Sequence, residues 1–346
     1  MTATATQTIR QTGSLRRRRL IGLCSAVVLL LAMVALSLAL GARDVALADV
    51  WNALFAPDAS NNDHLVVRDL RIPRTVIGIV VGLSLALAGA IMQGITRNPL
   101  ADPGLLGVNA GASVFVVLAI AVLGVSSPAG YVWFAFLGAA AAASVVYGIG
   151  AIGREGATPV KLVLAGTALT AGLTSIITLV LITDSETLNS YRFWSVGSLA
   201  SRDFAPIIAL WPFIAVGAIL AFTVGRMLNL LSLGDDLARG LGQNLMLTRV
   251  IAALAVVLLC GTATALAGPM VFVGLVVPHI VRPITGPDYR WILAYSAVLG
   301  PVLLLAADVV GRLIVRPAEL EAGIIIAVIG APIMIALVRR VKLAGL

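Results

Sequence analysis

The sequence predicts an all-α integral membrane protein with ten transmembrane helices, N-in/C-in, and a short cytoplasmic helix between spans six and seven. Three observations predict it. Of 346 residues, 60% are hydrophobic and 12% are charged, about half the ~25% charged share of a soluble globule. Long uncharged runs are bounded by charges. Lys and Arg then divide unevenly between the two sides of the membrane.

Residues 1–18 read as a flexible basic cytoplasmic tail, and residues 19–341 as one transmembrane domain. Arg16 to Arg19 precede the uncharged run 20–42. A signal peptide has an apolar core of only about 7–15 residues. Twenty-odd helical residues cross the ~30 Å hydrocarbon core, so this run is an uncleaved first span. Residues 75–96 form span two. Residues 103–153 are too long for one helix, and Ser126-Ser127-Pro128-Ala129-Gly130 divides them into spans three and four. Residues 162–183 form span five and 204–225 span six. The run 250–281 is broken at Gly268-Pro269, giving span seven and a short, Pro-interrupted span eight. Residues 291–311 form span nine and 322–338 span ten. Backbone polar groups in lipid need internal partners, so each run is expected to be helical.

With these spans and an inside N-terminus, 16 of the 24 Lys and Arg lie on the inner side. The outer eight are Arg43, Arg68, Arg71, Arg74, Arg192, Arg202, Arg312 and Arg316. The two-to-one excess follows the positive-inside rule. The net charge of +8 therefore suits an anionic leaflet, and no basic soluble domain is present to bind nucleic acid. Cys24 and Cys260 sit in apolar runs and read as small core residues. His64 and His279 lack metal-ligand spacing. His279, after Pro278, reads as the cap of a broken helix. The Pro/Gly-rich stretches 98–111 and 267–278 follow spans of opposite direction, as paired interruptions do at the transport sites of inverted repeats.

The segments offer little enzyme chemistry. Asp235-Asp236 is the only acidic pair, and a magnesium-diphosphate site would need a second one facing it. The phosphate loop GxxxxGK[ST] is missing. The loop 227–248 is the most informative polar piece. In Ser232-Leu233-Gly234-Asp235-Asp236-Leu237-Ala238-Arg239-Gly240-Leu241-Gly242, three leucines recur every four residues and make one apolar stripe. Ser232 and Asp235 can cap and charge the helix start, and Gly240 and Gly242 can end it. The stripe suits either a helix lying against the membrane or a docking knob for a cytosolic partner. Outside span two, Arg71 and Arg74 flank Pro73. They can snorkel to phosphates or, with Arg312, form a basic patch for an acidic partner. Asp308, one turn before Arg312, can pair with it.

Taken in order, Arg71-Ile72-Pro73-Arg74, Gly89-Ala90-Ile91-Met92-Gln93-Gly94, the stretch from Arg97-Asn98-Pro99 through Asp102-Pro103 to Gly107, the 233–242 loop, Gly274-Leu275-Val276-Val277-Pro278-His279 and Gly330-Ala331-Pro332 resemble the permease family of ABC importers for iron–siderophores, haem and vitamin B12. The resemblance runs from about Val45 to the C-terminus.

The resemblance implies a cytoplasmic-membrane permease that pairs with a second permease subunit, identical or not. Two cytosolic ATPases, which carry ATP and Mg, would drive it, and an extracytoplasmic binding protein would feed it. No cofactor is expected on this chain. An iron–siderophore is the favoured cargo, with haem or vitamin B12 as alternatives and a secondary transporter as the reading from another class. By resemblance, residues 232–242 match the ATPase-coupling helices. Arg71, Arg74 and Arg312 match the outer arginines that meet the binding protein, and Ala157-Thr158 match an inner gate. Gln93, Asn98, Pro99, Asp102, Pro103, Gly107, Pro278 and His279 belong to structural motifs. Glu321, and Ile333-Met334, depart from the family pattern.

Overall fold

The computed structural model describes residues 2–125, 127–152, 158–200 and 204–340. It is built of helices, with no strand among the described residues. Each uncharged run carries one: α1 Thr2–Ala39, α4 Ile72–Thr96, α5 Val108–Leu123, α6 Pro128–Ala151, α7 Pro159–Thr183, α9 Ala205–Leu231, α11 Leu245–Ala267, α12 Val273–Thr285, α13 Tyr289–Ile314 and α14 Ala322–Arg340. The remaining α-helices are α2 Leu47–Phe55, α3 Asn62–Leu65, α8 Ser185–Ser195 and α10 Asp235–Gly240, and a π-helical turn, Val66–Arg71, joins α3 to α4. Among the described residues seven helices are long and apolar enough to cross a membrane, and α5, α12 and the apolar part of α14 are shorter.

One expectation is corrected below. The first helix starts at Thr2, inside the segment read as a tail. Extending an existing helix needs no new nucleus, and this favours continuation. Cys24 is exposed on α1, while Cys260 is buried in α11. An outward face of a peripheral span is as apolar as a core, so hydropathy cannot tell the two apart.

Local signals set the helix ends. Asp184, Asn244 and Asp288 accept backbone N–H bonds at the starts of α8, α11 and α13. The Thr187 hydroxyl and backbone N–H hold the Asp184 carboxyl below its usual range. Five prolines lie inside helices: Pro212, Pro278, Pro283, Pro301 and Pro332.

Helix α4 is the centre of the bundle. Of its most apolar window 78% is buried, against 11% for α1 and for α7. The outer two therefore turn their apolar faces to lipid or to another subunit. Close approach to α4 depends on missing side chains. A Cβ on Gly82 would lie 2.7 Å from the Gly300 carbonyl, and one on Gly89 would lie 1.9 Å from that of Gly274. Small residues admit such backbone contact between membrane helices. The Gly89–Gly274 contact sets the start of α12 beside the C-terminal half of α4, so this 13-residue helix begins well inside the bundle.

Candidate functional site

The loop between α9 and α11 forms a compact knob. Gly234, at φ +109, turns the chain out of α9, and Gly242, at φ +83, closes the loop. Between them α10 spans only Asp235–Gly240. Leu233, Leu237 and Leu241 are 54%, 63% and 63% exposed, whereas Ala238 is buried. The apolar stripe read from the sequence therefore points away from the chain's own bundle.

The caps differ from the expectation. Gly234 is the N-cap residue and offers no side chain. The Ser232 hydroxyl donates to the Asn229 carbonyl at 2.7 Å and finishes α9. Gly240 lies inside the last turn, and Leu241 and Gly242 follow it.

Asp235 faces inward. It pairs with Arg97, the residue that ends α4, and with Arg249 in α11 at 2.8 Å. Arg97 holds a left-handed φ of +49 without being glycine, a strained conformation of the kind that clusters at functional sites. Asp236 pairs with Arg239 at 3.2 Å on the exposed side. The knob is thus bolted by one carboxylate to the central helix and to α11.

A second assembly lies deep in the bundle, where the two interrupted stretches meet. Pro278 has no N–H, which leaves the carbonyl of Gly274, four residues earlier, without its helical partner. The Gln93 amide reaches that carbonyl and the Leu275 carbonyl, at 3.4 Å each. The Gln93 oxygen accepts from Arg282 at 3.0 Å. A Cβ on Gly274 would lie 3.2 Å from Pro103, and the Thr264 hydroxyl donates to Asn109 at 3.0 Å.

The motif 98–107 closes on itself in the same region. Asn98 accepts from the Leu100 N–H at 2.9 Å and Asp102 from the Gly104 N–H at 2.8 Å. Pro103 opens a single 3₁₀ turn, Pro103–Leu106, and Gly107 ends it at φ +72. Pro99 lies between Asn98 and the Leu100 it caps. His279 is a correction. The helix runs through it, and its Nδ1 faces the Leu275 carbonyl at 3.3 Å, so it caps nothing.

The three arginines read as an outer patch give the largest departure from the sequence reading. Arg71, Arg74 and Arg312 are 4%, 7% and 2% exposed, not a bare basic rim. Arg74 grips Asp308 through Nε and Nη2, at 2.9 and 2.8 Å, and Glu319 through Nη1 at 2.5 Å. Arg312 pairs with Asp308 at 2.8 Å, as the spacing of four predicted, and donates to the Ser37 and Leu40 carbonyls. Arg71 donates to the carbonyls of Leu38, Ala39 and Arg43.

Burial makes unpaired charge costly, so the arginines draw in these partners. They still line a cavity of about 340 Å³ with Arg43 and Glu319. Of the inner-gate pair, Ala157 lies outside the described residues. Thr158 is the N-cap of α7, its hydroxyl accepting from Lys161.

The comparisons with known proteins agree with this architecture. Residues 29–340 match the model of the FecCD transport family. The chain is 45% identical over 305 residues to the iron(3+)-hydroxamate import system permease protein FhuB of Bacillus subtilis, covering 88% of this chain and 79% of that one. It is 43% identical over 334 residues to the ferric enterobactin transport system permease protein FepD of Escherichia coli, covering 96% and 99%. A solved metal-chelate type ABC transporter in an inward-facing conformation superposes with a TM-score of 0.79 at 26% identity, covering 92% of this chain and 98% of that one.

Proposed function

The chain belongs to the FecCD transport family, and from that premise we propose that it is the permease subunit of an ABC importer that carries an iron–siderophore complex across the cytoplasmic membrane. The relatives named for hydroxamate and enterobactin uptake support that cargo over haem or vitamin B12. The three shorter apolar helices complete ten spans with both ends inside. The lipid-facing breadth of α7 leaves room for a second permease subunit.

The observation that carries the energetic part of the reading is the inner knob. Leu233, Leu237 and Leu241 stand exposed on a rigid mount tied to α4 and α11 through Asp235. Two cytosolic ATPases would grip such knobs and supply ATP, with Mg, while this chain supplies no catalysis. On the outer side, an acidic group of an extracytoplasmic binding protein fits the arginine-lined cavity, with Glu319 as the residue it must displace.

Proteoliposomes test the proposal. Uptake of a ferric siderophore is expected only with the binding protein, the ATPase and ATP all present. Uptake driven by a proton or sodium gradient without the ATPase would make the chain a secondary transporter.

A further inference from the structure

A second cavity, of about 920 Å³, opens between α1, α9 and α13 on the inner side of the charge-derived topology. That is at the upper end of the ~300–1,000 Å³ range of ligand sites. Four arginines line it: Arg16 and Arg19 from α1, Arg226 from α9 and Arg290 from α13, with Phe222 and Trp291. Arg19 stacks over Trp291, 5.9 Å from the ring centroid. The Tyr295 hydroxyl donates to the Arg19 carbonyl at 2.7 Å and ties α1 to α13.

What these four arginines lack is a carboxylate. Arg74, Arg97, Arg249 and Arg312 all hold carboxylates. None of the four lining the cavity forms an ion pair among the described residues, and no acidic side chain lines the cavity. The chain thus gathers four uncompensated charges around one space that has room for an anion.

The surroundings say which anion. Both α1 and α9 are poorly buried, at 11% and 22%, so the cavity opens toward lipid and not only toward water. On α1 a shallow apolar groove of about 440 Å³ follows, lined by Leu20, Cys24 and Val28 among others. Arg16, Leu20, Cys24 and Val28 are four residues apart and share one face of the helix. On α9, Phe222 and Ile219 are exposed beside Arg226. Basic pockets between transmembrane helices on the cytoplasmic side hold anionic headgroups.

We propose that this cradle binds an anionic phospholipid of the inner leaflet. Its phosphate would sit among Arg16, Arg19, Arg226 and Arg290, and its acyl chains would run along the apolar faces of α1 and α9. Bound there, the lipid staples the first helix to the bundle.

The test uses the full chain in its assembled complex, in nanodiscs of phosphatidylcholine doped with phosphatidylglycerol, with native mass spectrometry counting retained lipids. Phosphatidylglycerol should be retained over phosphatidylcholine. The variant Arg16→Gln/Arg226→Gln/Arg290→Gln should lower that retention by about a hundredfold. A variant with Lys at the same three positions keeps the charge and should hold retention within about tenfold of the native chain. Arg68→Gln/Arg192→Gln, on the opposite side, should change nothing. Equal retention of the two lipids, or unchanged retention in the Gln variant, would overturn the proposal. So would displacement by millimolar inorganic phosphate, which would make it a phosphate site. Loss of ATPase binding with retention intact would assign the cradle to the ATPase.

Discussion

The Gln93 amide on α4 donates at 3.4 Å to the carbonyl of Gly274, the one carbonyl in α12 that Pro278 deprives of its helical bond. A side chain thereby repairs a helix defect from 181 residues away in sequence. The same side chain accepts from Arg282. The broken helix and the central helix are therefore held in one register where the two interrupted stretches meet.

Gln93→Leu should uncouple them. It keeps the volume roughly constant but leaves the Gly274 carbonyl and an Arg282 N–H without a partner inside the bundle. Each orphaned group costs about 1–3 kcal/mol. The variant should melt several degrees lower in detergent and transport more slowly. An unchanged melting temperature would mean that the 3.4 Å contacts contribute nothing.

Leu237→Asp should abolish co-purification with the ATPase. Buried anchors of small interfaces cost about 2 kcal/mol or more when truncated, and Leu237 is the middle of the exposed stripe. Because it touches little of its own bundle, the spans should stay folded, as circular dichroism would report. Gly240→Pro, inside the last turn of α10, should leave assembly but slow ATP-driven uptake. Intact assembly and uptake in Leu237→Asp would return the knob to a plain surface helix.

Single cysteines at Asp184 and Asp235 should label from opposite sides of the membrane. The positions cap α8 and begin α10, and the Lys/Arg asymmetry puts one outside and the other inside. Labelling of both by one impermeant reagent, from the same side, would reverse the topology.

Much of this fold was legible because charge marks span ends. Every uncharged run carries a helix, and the break at Gly268-Pro269 sits where Gly268 adopts φ +79. The Asp308–Arg312 pair was legible too, since four residues make one turn. What stayed hidden was set by distance in the chain. Arg74 meets Asp308 234 residues on and Glu319 245 residues on, so nothing near Arg74 announces its burial. Helices α2 and α8 escaped for the opposite reason. Both are short and lie outside the uncharged runs, so a search for spans passes over them. Asp235 looked like a helix-capping charge because its partners, Arg97 and Arg249, lie in two other segments.

Asp308→Asn should be among the most destabilising single changes at the outer end. Asp308 is fully buried between Arg74 and Arg312. Removing its charge leaves Arg312 without a carboxylate, and Arg74 with Glu319 alone, while the two guanidinium groups still face each other. Breaking a buried ion pair in this way costs about 3–5 kcal/mol. Thermal melting in detergent reads the loss, and a shift of under a degree would show that water or lipid already compensates the arginines.

Glu319→Gln tests how the outer cavity receives a partner. Glu319 is the most exposed of the acids on Arg74, with a third of its side chain accessible, whereas Asp308 has none. It therefore holds the place an incoming carboxylate would take. Gln keeps the side chain's shape but not its charge, which weakens its hold on Arg74 without breaking the deeper Arg74–Asp308 pair, so the fold should persist. Charges at the rim of an interface act mainly on association rate and salt dependence. The binding protein should dock severalfold faster on Glu319→Gln than on the native chain, and the rate should fall more steeply with salt. Reversing Arg71, Arg74 and Arg312 to Glu should do the opposite, provided the variant folds. Surface plasmon resonance on nanodisc-held complex measures both. Slower docking on Glu319→Gln would show that Glu319 positions Arg74 for the partner instead of competing with it. Unchanged docking in both variants would remove the cavity from the docking surface, leaving its arginines to hold the outer ends of α1, α4 and α13 together.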